Sequence, residues 1–99
     1  FYIPDAIYKI TKTISDGSLQ EFYYILEIHK GNDTKRAIDT IMKNIKTLVD
    51  GSIAKKYDYK YSHKVVMVFD NDKVKDLALK RLDKMEEFQG FSDFFEIKI

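Results

Sequence analysis

The run Val65-Val66-Met67-Val68-Phe69 carries no polar side chain and lies between two stretches with helical periodicity. A short apolar run in that setting reads as the middle strand of a covered parallel sheet. Before it, Ala37, Ile38, Ile41, Met42, Ile45, Leu48 and Val49 recur at spacings of three and four, which predicts a helix from about Thr34 to Val49 with one apolar stripe. After it, Val74, Leu77, Ala78, Leu82 and Met85 predict a second helix from about Asp72 to Glu87, broken at Gly90. Upstream, Asp5 to Ile14 and Gln20 to His29 read as two strands joined by a turn containing Asp16-Gly17, where glycine tolerates a positive φ. The second of these strands lacks clean alternation, so both of its faces are expected to be covered. Asp33 or Thr34 is placed to cap the first helix, and Asp50-Gly51-Ser52 to end it. Lys55 to Lys64 reads as a linker, and Asp93 to Ile99 as a last strand. The fold class is α/β with order β-β-α-β-α-β, a mixed sheet with helices packed on it.

Ninety-nine residues with 44% hydrophobic content make one domain with a modest core. The chain begins at Phe1 without an initiator Met, so it is read as a segment of a longer protein. Cysteine is absent, which excludes disulfides and thiolate zinc sites and fits a reducing, cytoplasmic setting. No apolar run reaches the roughly 18 to 20 residues of a membrane span, and no signal-peptide pattern is present. A net charge of +1 argues against bulk polycation binding to nucleic acid.

Three side chains carry the candidate chemistry. Asp5 and Glu27 are 22 residues apart, a span that one hairpin bridges. Paired carboxylates suit a hard cation such as Mg²⁺ or Mn²⁺, which can polarise a phosphodiester and acidify a bound water. Glu27 and His29 are two residues apart on one strand and share a face. His29 can serve as a general base, against the plainer reading of a strand-end histidine making one hydrogen bond. Two solvated strand-end acids are the plainer reading of Asp5 and Glu27. In Lys55-Lys56-Tyr57-Asp58-Tyr59-Lys60-Tyr61 basic and aromatic residues interleave, so rings could stack on bases while lysines meet phosphates. The alternative is that the tyrosines cover the sheet while the lysines reach outward. Asp72, in Asp70-Asn71-Asp72, reads as a helix cap. Gly-rich phosphate loops, Ser-His-Asp order and HExxH are absent.

Pro4-Asp5-Ala6, the hairpin, and the apolar run into Glu27-Ile28-His29-Lys30-Gly31-Asn32 resemble the restriction-endonuclease-like, PD-(D/E)xK fold, and within it the plasmid replication-relaxation family. The resemblance spans about Ile3 to Leu48. It implies a DNA-handling domain of a plasmid or mobile-element replication or mobilisation protein. In that reading Asp5 and Glu27 hold Mg²⁺ or Mn²⁺, and His29 stands beside them as the third catalytic residue. Lys30, Lys35, Arg36, Lys56, Tyr59 and Lys60 are the expected DNA contacts. The chain departs from active nucleases at His29, where they place a Lys, so weak or absent cleavage is expected. It departs from the plasmid family at His29 and Asn32. The rival reading is a non-catalytic interaction module, for instance one that forms a homodimer.

Overall fold

The computed structural model describes residues 4–60 and 62–99. The strands are β1 (Ala6–Thr13), β2 (Leu19–His29), β3 (Lys64–Phe69) and β4 (Phe95–Lys98). The helices are α1 (Thr34–Asp50), α2 (Ser52–Lys56), α3 (Asp72–Leu82) and α4 (Glu86–Phe91), with a 3₁₀ turn at Ser92–Phe94. The strands lie side by side in chain order. β1 and β2 form an antiparallel hairpin, while β2–β3 and β3–β4 are parallel. The expected mixed sheet is therefore present, with the apolar run as an inner strand. Among the described residues no helix is long and apolar enough to cross a membrane.

Alternation along the strands decides which side becomes core. Met67 and Phe69 of β3 pack with Ala37, Ile41 and Ile45 of α1, Val74, Ala78 and Leu82 of α3, and Phe88 of α4. Ile25 and Val65 form a second cluster with Ile53 of α2, backed by Tyr57 and Tyr59. All these strand residues are odd-numbered and occupy one face, so the helices cover that face alone. The even-numbered face holds Tyr8, Phe22, Tyr24, Leu26 and Ile28, and of its residues only Val66 is buried. The expectation that β2 is covered on both sides is thus corrected. Its mixed pattern arises because the open face is itself aromatic and aliphatic, which hides the period of two.

Local punctuation explains the element ends. Asp33 caps α1 by accepting from Arg36 N at 3.0 Å, and Gly51, at φ +68°, closes it in a left-handed conformation. The stripe on α1 is narrower than its periodicity suggests, since Val49 is 67% exposed. Asn71 caps α3, with its side chain accepting from Lys73 N and Val74 N. Asp72 is therefore the first helical residue and not the cap, because Asn71 already satisfies those donors. The second predicted helix is two helices. Met85 takes an extended conformation between α3 and α4, which allows Leu82 and Phe88 both to reach the core. Gly90 lies inside α4 and does not end it. Leu77, expected to face inward, is 51% exposed. The supposed linker, Lys55 to Lys64, begins inside α2, whose Ile53, just before it, is fully buried.

Candidate active-site cleft

The start of β1, the ends of β2 and β3, and the first turns of α1 converge at one end of the sheet. This is the carboxyl end of the parallel strands, where α/β sheets commonly place ligands. A cleft of about 230 Å³ opens there, lined by Asp5, Glu27, Ile28, His29, Arg36, Thr40 and Met67. The hairpin register pairs Ala6 with Leu26, which sets Asp5 beside Glu27 one position further on. Asp5 Oδ2 accepts from Ile28 N at 2.8 Å, so the aspartate also fastens the start of β1 to β2.

Glu27 projects from β2 onto the helix side and is 6% exposed. Burial disfavours its charged form and pushes its carboxyl up to about 7, opposed by a side-chain hydrogen bond from Asn44. Asn44 is held in turn, with Nδ2 donating to Thr40 O at 2.9 Å, and Thr40 Oγ1 donates to Arg36 O at 3.0 Å. Arg36, Thr40 and Asn44 are four residues apart, so they form a polar stripe along α1 beside the apolar one. Thr40 and Asn44 match no motif. The readable signal is that polar stripe, running next to Ala37, Ile41 and Ile45.

His29 is 3% exposed. Burial and then the Arg36 charge lower its pKa, partly offset by its hydrogen bond to the Asp33 main chain and by the Asp33 and Asp70 carboxylates. Its Nε2 has no hydrogen-bond partner among the described residues. A neutral ring that donates through one nitrogen presents a lone pair on the other. Arg36 Nη2 donates to Lys30 O at 2.8 Å, which steadies the guanidinium at the cleft wall. The β2–α1 loop is tied across the sheet, as Gly31 N, on a residue with φ +87°, donates to Asp70 Oδ1 at 3.0 Å.

The predicted DNA contacts divide into two groups. Arg36 lines the cleft, and Lys30 and Lys35 are exposed close by in sequence on the β2–α1 loop and first turn of α1. Lys30 lies past the end of β2 and does not line the cleft. Lys56, Tyr59 and Lys60 belong to the opposite end. Tyr59 stacks on Tyr23 with ring centroids 4.3 Å apart, six residues and about 20 Å of strand from His29. Tyr57 and Tyr59 pack against the core, as in the sheet-covering alternative. Tyr61 lies outside the described residues.

Carboxylates and water are the donor types that Mg²⁺ or Mn²⁺ accepts, whereas an imidazole nitrogen suits softer ions. Among the described residues no three His, Cys, Asp or Glu side chains gather closely enough to enclose a metal ion. Comparison with family models, with curated proteins and with solved structures returns no match.

Proposed function

We propose that this chain is a restriction-endonuclease-like, DNA-handling domain of a plasmid or mobile-element replication or mobilisation protein. Its cleft binds phosphodiester backbone and cuts it weakly or not at all. The observation that carries this reading is the single cleft shared by Asp5, Glu27, His29 and Arg36, which sequence separation alone would scatter. Asp5 and Glu27 are the residues that would hold Mg²⁺ or Mn²⁺. When bound, that cation supplies Lewis-acid charge and lowers the pKa of its water. Arg36 carries a permanent positive charge where a phosphate would sit, and its planar fork suits phosphate oxygens. It cannot give up a proton, so it does not substitute for a catalytic Lys as an acid–base group. His29 can accept a proton at Nε2, but its lowered pKa makes it a weak base.

Loss of a matched acid–base group commonly removes about 10²- to 10⁴-fold of rate. The expected outcome is DNA binding in Mg²⁺ or Mn²⁺ with at most slow nicking, and loss of both the cation dependence and the nicking in Asp5→Asn and Glu27→Gln. Nicking of supercoiled plasmid and branched DNA, run beside a direct cation titration, measures this. Rapid cutting would refute the weak-catalyst reading. Absence of both cation and DNA binding at the cleft would refute the nuclease-like reading altogether.

A further inference from the structure

The sheet face that no helix covers among the described residues carries its own chemistry. By register, Tyr8, Phe22 and Tyr24 share that face with Lys12, Lys64 and Lys98, and Glu96 is its one acid on the paired strands. Tyr8 and Tyr24 stack on one another, with centroids 4.9 Å apart and planes within 10°. Lys12 Nζ lies over the Phe22 ring at 5.3 Å. Phe22 and Tyr24 are two residues apart on one strand, about 7 Å. Lys64 is the direct neighbour of Tyr24 on β3. A groove of about 150 Å³ opens beside them, lined by Gln20, Phe22, Tyr24, Ser62 and Lys64, with Glu21 and Tyr23 at its wall.

We propose that this open face is a stacking platform for single-stranded nucleic acid. The Tyr8–Tyr24 stack and Phe22, which Lys12 caps on one side, offer their remaining π faces to unstacked bases, and Lys12 and Lys64 meet the phosphates beside them. Stacking on aromatic rings tolerates any base, so the face is expected to bind with little sequence preference. Duplexes keep their bases inside the helix and gain only the phosphate contacts. Charge and rings together decide for this partner: cations suit phosphates or an acidic protein alike, and the adjoining π faces suit bases. Lys98 is paired with Glu96, Nζ to Oε2 at 3.5 Å, so the positive charge of this face on a chain of net charge only +1 rests on Lys12 and Lys64, and both stand beside rings. The platform lies on the opposite side of the sheet from Glu27, so it does not depend on the cleft reading.

The test uses fluorescence anisotropy with labelled oligo-dT and oligo-rU of about twelve nucleotides, and a duplex of equal length, at about 50 mM salt. Single strands are expected to bind more tightly than the duplex. The logarithm of affinity should fall against that of salt with a slope of about −1.4, as two phosphate contacts require. Tyr8→Ala and Tyr24→Leu should each weaken binding by about 5- to 100-fold. Lys12→Glu combined with Lys64→Glu changes only exposed side chains, so the fold is retained, and it should abolish the preference for single strands. Loss of binding in Arg36→Ala with Lys12→Glu/Lys64→Glu silent would assign binding to the cleft and overturn the proposal. So would equal affinity for duplex. A concentration-dependent dimer in sedimentation velocity that Tyr8→Glu dissolves would overturn it in favour of a second copy of this chain.

Discussion

Glu27 is a carboxyl group placed where burial favours its acid form. Its pKa of about 7 stands above the ordinary 4.5, so ionisation is easier in the unfolded chain than in the native one. Stability from this group is complete below about pH 4.5 and is lost as pH rises through 7. The loss approaches 3 kcal/mol, about 1.4 kcal/mol for each pH unit between the two values. A glutamine there cannot ionise and still accepts from Asn44. Glu27→Gln should therefore raise stability at pH 8 in a chelator by about 2 to 3 kcal/mol. The same substitution should remove the cation response. Urea unfolding at pH 8 and pH 4.5, with and without Mn²⁺, reads both effects. A variant no more stable than wild type at pH 8 would mean that the carboxyl is not held in this environment. A residue that costs stability in the empty protein is what a binding site requires and a core does not.

The elements show where pattern reading succeeds and where it stops. Both α1 and the inner strand β3 follow from their periods, because their apolar residues face one continuous core. The period is uninformative where two faces look alike. β2 is apolar on the covered side through Ile25 and on the open side through Phe22, Tyr24 and Leu26, so only the tertiary fold separates them. In α3 and α4, residues at helical spacing were assigned to one stripe, yet the chain turns at Met85 and leaves Leu77 outside. Leu77→Lys should accordingly change stability by no more than about 0.5 kcal/mol, whereas Leu82→Ala, fully buried, should cost about 2 to 5 kcal/mol. Similar losses from the two would restore the single-stripe helix. Caps were legible to within a residue. Asn71→Ala removes the acceptor for two backbone donors and should cost about 1 kcal/mol, seen as a drop in Tm of about 4 to 8 °C. Asp5, Glu27 and His29 could be picked out from strand positions, but their neighbours Thr40 and Asn44 could not. A polar residue facing inward from a helix leaves no mark in the sequence other than its spacing.

At the scale of the whole molecule, the two ends of the sheet differ in how they respond to protons. Glu27 and His29 lie at the end that opens into the cleft. His63, just before β3, lies at the other end, 1% exposed, with Nε2 lacking a partner among the described residues. Burial lowers its pKa to about 4, below the ordinary 6.5. Below pH 6.5 the unfolded chain takes up a proton at this residue that the native chain refuses. The stability it supports is full above about pH 6.5 and is lost as pH falls towards 4, by about 3 kcal/mol in total. His29 is shifted in the same direction and adds to this slope, while Glu27 opposes it. Wild-type stability between pH 4.5 and 6.5 is thus a difference of opposing terms and is a poor test of any one of them. The difference between wild type and His63→Gln isolates one. Glutamine does not titrate, so whatever packing it loses is the same at each pH. The gap between the two proteins, from urea unfolding at intervals from pH 4 to 7.5, should change by about 3 kcal/mol across the range, with wild type gaining as pH rises. Parallel curves would show that His63 is not confined as a neutral ring.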